Sequence, residues 1–260
     1  MTVQNIYDLL DAVAPFETQE DFDNSGLLVG SPGQPVSRVL FALDVTEAVL
    51  EEAVSLGVQL IVTHHPLMFS PIQRLTDETY EGRLIRRLIR ENISLIACHT
   101  CLDKAPGGIN DALAECCALL DVTGEGFLRV GALPVPMKAA ELREYLCAAL
   151  GANVVLMGDG ERTVSRLGLC SGAGSGEWEE AARQGAEGFL TGEVKHHHAL
   201  AMADAGVVCF EGSHFATERP GIFALADALQ SAAIGLQYKL EIFKSAVEAY
   251  ASLPAMRQAD

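Results

Sequence analysis

Apolar positions along the first half of the chain alternate between two rhythms. In "IYDLLDAVAPF", Ile6, Leu9, Leu10 and Val13 fall on one stripe of a 3.6-residue period, which predicts an opening amphipathic helix. "SRVLFALDV", "VQLIVT" and "ISLIAC" are short, near-continuous apolar runs, the mark of strands covered on both faces. Between them "TEAVLEEAVSLG", "EGRLIRRLIREN" and "INDALAECCALL" return to helical spacing, the first ending at Gly57. Around Asp121 to Pro136 the rhythm breaks, with "TGEG" and "LPVP" as turn and linker signals.

A second series follows: helix "AELREYLCAALG", strands "NVVLM" and "SRLGLC", the glycine-rich "SGAGSGE", helix "EWEEAARQG" and strand "GFLT". Helix "EVKHHHALAMADAG", expected to start from a Thr191 cap, precedes strand "VVCF", helix "GIFALADALQSA", strand "LQYKLEIF" and a closing helix. The pattern predicts an α/β fold of two domains, residues 1–125 and 126–260, with mixed or parallel sheets covered by helices. A C-terminal element packing back onto the first domain is compatible with it.

Composition narrows the function. Aromatics are only 6% of the chain, which favours helices packed on buried sheets over an all-β sandwich. The formal net charge of −17 repels phosphate backbones and anionic lipid, so neither nucleic acid nor membrane is an expected partner. A phosphate-bearing small-molecule substrate would need a locally positive site, and bound metal supplies one. "MTVQNIYDLL" lacks the pattern of a secretion signal and no apolar run reaches membrane-span length, so a cytoplasmic protein is expected. Seven cysteines, several of them in apolar segments, read as buried reduced thiols rather than a disulfide framework.

Chemistry gathers where apolar strands stop. In an open α/β sheet, ligands bind at the carboxyl ends of strands. There "FALD" delivers Asp44, "IVTHHP" delivers His64 and His65, and "LIACHTCLD" delivers His99 and Asp103. In the second half "VVCFEGSHFATE" delivers His214 and Glu218. Imidazole with carboxylate suits zinc, iron, manganese or nickel, and carboxylates can bridge two cations about 3.5–4 Å apart. One such histidine at a strand end is ordinarily a hydrogen-bonded loop residue. The joint occurrence of three such segments is what points to metal.

Other motifs carry less. In "KHHH", successive helical residues diverge by about 100°, so His196 and His198 read as solvated, while His197 can face a site or a substrate. "CHTC" has the spacing of a redox dithiol, but "KAPGG" follows where that motif requires a helix. "SGAGSGE" fits either an anion cradle or a tight strand-to-helix turn and matches no nucleotide fingerprint.

Taken together, "FDNSGLLVG" (22–30), "ALDVT" (42–46), "THHP" (63–66), "HTCLDKAPGGIND" (99–111), "LTGEV" (190–194) and "GSHFATE" (212–218) resemble the Nif-three-like dinuclear metal-centre family, whose members are called GTP cyclohydrolase type 2 homologues. The resemblance implies metal ligands at His64, His65, Asp103, His214 and Glu218, and of these the carboxylates Asp103 and Glu218 are the candidate bridges. Asp44, His99, His197 and Glu193 are candidates to stand behind the ligands, His99 also as an occasional ligand. Cys101 stands where many relatives have asparagine, a departure that bears on metal preference or oxidation. The resemblance further implies two α/β domains with the site in the crevice between them, two divalent metal ions, and a toroidal homohexamer. The expected function is a metal-dependent hydrolase using metal-bound hydroxide on GTP or another nucleotide or phosphoester. A non-catalytic metal-binding or metal-insertion protein acting through partner contacts is the alternative. No residue is assigned as catalytic by sequence.

Overall fold

The computed structural model describes residues 1–248. In chain order its principal elements begin with helix α1 (Val3–Val13), strands β1 (Gly26–Val29) and β2 (Arg38–Ala42), and helix α2 (Glu47–Leu56). Strand β3 (Leu60–Thr63), helix α3 (Tyr80–Arg90), strand β4 (Ser94–Ala97) and the short helix α4 (Thr100–Lys104) follow. Then come α5 (Ile109–Cys116), β5 (Leu120–Thr123), β6 (Arg129–Lys138), α6 (Ala139–Leu150), β7 (Val155–Met157) and β8 (Thr163–Cys170). The run closes with α7 (Trp178–Arg183), β9 (Gly188–Thr191), α8 (His196–Ala205), β10 (Val208–Glu211), α9 (His214–Gly235) and β11 (Glu241–Lys244). The closing helix expected from the sequence falls outside the described residues.

Contacts divide the chain into two compact units. One comprises Met1–Leu102 with the chain from Leu225 onward, and the other Asp103–Ala224. The linker-like stretch near residue 125 lies inside the second unit, where it joins β5 to β6.

The first unit holds a five-stranded sheet in the order β1-β4-β3-β2-β11. β4, β3, β2 and β11 run parallel, and β1 is antiparallel to β4. Every residue of β3 and β4 is buried, as expected of strands with both faces covered. Val49, Leu50 and Ala53 of α2 and Leu84, Ile85 and Leu88 of α3 pack with Leu40, Ile61 and Leu95 of the strands. Each fully buried leucine or isoleucine there stabilises the fold by about 1.5–3 kcal/mol. The helices begin and end for local reasons. The Thr46 hydroxyl accepts the Val49 N–H at 3.2 Å to start α2, and Gly57, in the left-handed region at φ 64°, ends it.

The second unit holds a six-stranded mixed sheet in the order β5-β6-β8-β9-β10-β7, with β8, β9 and β10 parallel. Alternate residues serve opposite faces: Val208 and Phe210 join the α6 core of Leu142, Leu146 and Leu150, whereas Cys209 joins Trp178 of α7 and Met202 of α8. Pro134 and Pro136 lie within β6, and the register shifts between Ala132 and Met137. Proline cannot donate to a ladder, so a strand holding two of them yields its pairing there. That is why the sequence pattern broke at this place.

Two expected boundaries are corrected. Helix α8 starts from Lys195, not from a Thr191 cap; Thr191 ends β9, buried, with its hydroxyl donating to the Gly172 carbonyl at 3.2 Å. Helix α9 starts at His214 instead of at "GIF", so His214 and Glu218 are helix residues rather than a strand's trailing end.

Candidate functional site

In the first unit, parallel register makes three strand ends level. Ala42, Thr63 and Ala97 are paired across β2, β3 and β4. The next residues of each strand therefore leave the sheet at one edge, and these are Leu43-Asp44, His64-His65 and Cys98-His99. Backbone bonds hold the exits together: the His65 N–H donates to Leu43 O at 3.0 Å and the Cys98 N–H to Thr63 O at 2.8 Å.

The three imidazoles converge. Ring centroids lie 4.9 Å apart for His64–His65, 5.1 Å for His64–His99 and 5.6 Å for His65–His99. One nitrogen from each sits within 4.8 Å of the others. Each ring is also oriented through Nδ1 by an oxygen. His64 Nδ1 meets Cys98 O at 2.9 Å, His65 Nδ1 meets Asp44 Oδ1 at 2.7 Å, and His99 Nδ1 meets Asp23 Oδ1 at 2.8 Å. An acceptor at Nδ1 fixes the proton there and leaves Nε2 as the basic, ligating nitrogen.

Asp23 is the residue that sequence reasoning passed over, although it stands in the quoted "FDNSG". Its side chain is wholly shielded from solvent. Burial pushes its carboxyl up, but hydrogen bonds from His99 and Thr100 outweigh this and hold it well below the usual carboxylate range. The Thr100 N–H donates to it at 3.0 Å and Ser25 Oγ at 3.1 Å, while the same Ser25 oxygen accepts the His99 N–H at 3.0 Å. His99 is therefore clamped at both ring and backbone.

In the second unit, His214, Glu218 and Glu193 form their own set, and Asp103 belongs to the same unit. Ser213 accepts the Ala216 N–H on its Oγ at 3.2 Å and so starts α9, itself in the left-handed region at φ 64°. His214 and Glu218 are four apart on this helix and share a face, with Nε2 and Oε1 3.1 Å apart. His214 Nδ1 meets Glu193 Oε1 at 2.7 Å, the same orienting arrangement as in the first unit. Asp103 and Glu218 are buried. The Cys170 thiol is pushed up by burial and further by the charges of Asp103, Glu177 and Glu218.

"SGAGSGE" resolves into a tight turn with a purpose. Gly172, at φ +55°, lies where a Cβ would come within 2.1 Å of Glu218 Oε1 and 3.1 Å of His214 Nε2. Only glycine lets the loop pass over these two side chains. Gly192 is equally confined, 2.6 Å from Gly172 O and 2.7 Å from His214 Cα by the same measure. Asn110, fully buried, donates to Asp103 O at 3.1 Å and accepts the Ser171 N–H at 2.8 Å, tying the aspartate's backbone to this turn.

His197 is exposed, its ring 4.3 Å from that of His198, whose Nδ1 meets Ser175 Oγ at 3.0 Å. Cys98 and Cys101 are fully buried, and burial raises the Cys98 thiol well above its usual range, which makes it a poor redox nucleophile.

Imidazoles oriented through Nδ1, together with buried carboxylates, form a donor set that fits divalent cations of zinc, iron, manganese or nickel type. Burying carboxylates in so acidic a chain is costly unless positive charge accompanies them. The family Duf34/NIF3 (NGG1p interacting factor 3) matches residues 1–250. The chain belongs to this family. A Clostridium perfringens "GTP cyclohydrolase 1 type 2 homolog" is 31% identical over 240 residues, covering 88% of this chain and 92% of that protein. A Streptomyces coelicolor protein of the same description is 35% identical over 226 residues, covering 81% and 79%. Among solved structures, a Staphylococcus aureus protein superposes with a TM-score of 0.92 at 26% identity, covering 96% of this chain and 98% of that one. The NIF3-family fold of two α/β domains is thus common to this chain and its structural relatives. No helix among the described residues is long and apolar enough to cross a membrane.

Proposed function

We propose that this NIF3-family protein is a metal-dependent hydrolase whose ligands are His64, His65, Asp103, His214 and Glu218. The observation that carries the reading is the repeated Nδ1 anchoring of His65, His99 and His214 by Asp44, Asp23 and Glu193, with His64 anchored by a carbonyl. Structural histidines do not need such matched orienting acceptors, whereas ligating histidines such as His64, His65 and His214 ordinarily have them, and His99, anchored in the same way, stands beside them as an occasional ligand. Divalent cations held there would polarise a substrate oxygen and lower the pKa of a bound water towards about 7. The chain's part is to orient imidazoles, supply carboxylate charge and keep the loop at Gly172 close enough to exclude bulk solvent from Glu218. Relatives named for GTP cyclohydrolase support a purine nucleotide as the first substrate to try.

Two cations are the expected load, with Asp103 and Glu218 as their bridges. Elemental analysis should therefore find more metal lost from Asp103→Ala or Glu218→Ala than from His65→Ala. Two metals retained in Asp103→Ala would remove the bridging role. GTP hydrolysis by metal-loaded protein should vanish on chelation and return with added divalent ion. A residual rate shared by wild type and Glu218→Gln would mark the activity as contamination and leave a metal carrier as the better reading.

A further inference from the structure

The two most exposed aromatic side chains among the described residues are Phe22, 68% exposed, and Phe69, 52% exposed. Both lie on loops that border the histidine set of the first unit. Phe22 precedes Asp23, the residue that holds His99, and Phe69 follows the His64-His65-Pro66 turn by three residues. Asn24 Nδ2 donates to Met68 O at 2.7 Å and latches the loops together. Leu67 and Met68 are anchored against the core of this unit, so the loop carrying Phe69 is seated, not adrift. The Phe69 ring meets His99 nearly perpendicularly, with centroids 5.4 Å apart and planes at 84°.

We infer that Phe69 is the stacking platform for a flat heteroaromatic ring, a purine base, presented to the histidine set. This rests on the hydrolase reading above. An exposed phenyl ring forfeits the gain of burial, and a planar ligand restores it by covering the ring. With a net charge of −17 the protein repels a nucleotide's phosphates at long range, so contact with the neutral base offers binding that does not fight that field. Phe22 is exposed on the loop that the Asn24–Met68 bond ties to that of Phe69.

Guanosine tests this directly, because it carries the base without phosphates that could bind metal. Titration calorimetry should show guanosine binding to the wild-type protein and weakening by about 5–150-fold in Phe69→Ala, the range of one lost base–aromatic stack. Metal content should be the same in both, and Phe69→Trp should retain binding with its indole fluorescence quenched by the base. Equal guanosine affinity in wild type and Phe69→Ala, or no guanosine binding by wild type, overturns the inference while leaving the metal reading intact. If binding follows Phe69 in a protein that holds no metal, the platform stands and the hydrolase reading falls. If Phe69→Ala changes the protein's mass in light scattering and not its guanosine affinity, the ring covers a second copy of the chain and the inference is lost.

Discussion

An imidazole has two nitrogens, and a protein decides which one is basic by what it sets against the other. Here the setting is done by residues of different parentage: a carbonyl for His64, and Asp44, Asp23 and Glu193 for His65, His99 and His214. Asp44→Ala should leave secondary structure unchanged and weaken divalent-metal affinity by about 10–100-fold, measured by competition with a chromophoric chelator. Unchanged affinity would reduce the Asp44–His65 bond to a loop contact. Asp23 makes a different forecast. Its carboxyl is lower in the folded protein than in the unfolded chain, so its stabilisation is complete above the unfolded value of about 3.9 and disappears as pH falls through the folded one. Asp23→Asn should thus flatten the acid side of the stability profile in urea titrations run from pH 6 to pH 3. Parallel profiles for wild type and variant would show the clamp to be energetically idle.

Strands and their exits were the most legible part of the sequence, because buried parallel strands are continuous apolar runs and polar residues stand out at their ends. His64, His65, His99 and Asp44 could be read that way. His214 and Glu218 were found as chemistry but misplaced as structure, since "GSHFATE" carries its helix start in a Ser213 cap that precedes no obvious apolar stripe, and Pro220 interrupts the pattern within α9. Nothing local revealed Asp23 or Gly172, whose partners lie 76 and 46 positions away or are known only once the chain is folded. Helix α9 also carries a packing constraint that composition hides: a Cβ at Gly221 would fall 2.4 Å from Ile109 Cα. Gly221→Ala should cost about 1–3 kcal/mol in equilibrium unfolding, against the gain alanine normally brings to a helix. A stabilised variant would mean that α5 and α9 can separate at no cost.

For the whole molecule, charge and assembly pull against each other. A monomer carrying −17 resists self-association at low ionic strength, yet the family resemblance implies a closed homohexamer. Light scattering at physiological salt should report one closed species near six subunits, its population falling as salt is removed. A monomer at every salt concentration would exclude the ring for this protein.

The order in which the strands are used has a consequence for synthesis. The five-stranded sheet receives its β11 edge from residues 241–244, after the whole of Asp103–Ala224 has been laid down. On a ribosome the second unit is a continuous stretch that can emerge and fold in one piece, while the first waits with the flank of β2 uncovered. An open parallel edge on a nascent chain is a template for wrong pairing. The last strand among the described residues is the one that closes the first unit, so losing β11 would spoil the portion of the protein that was made earliest.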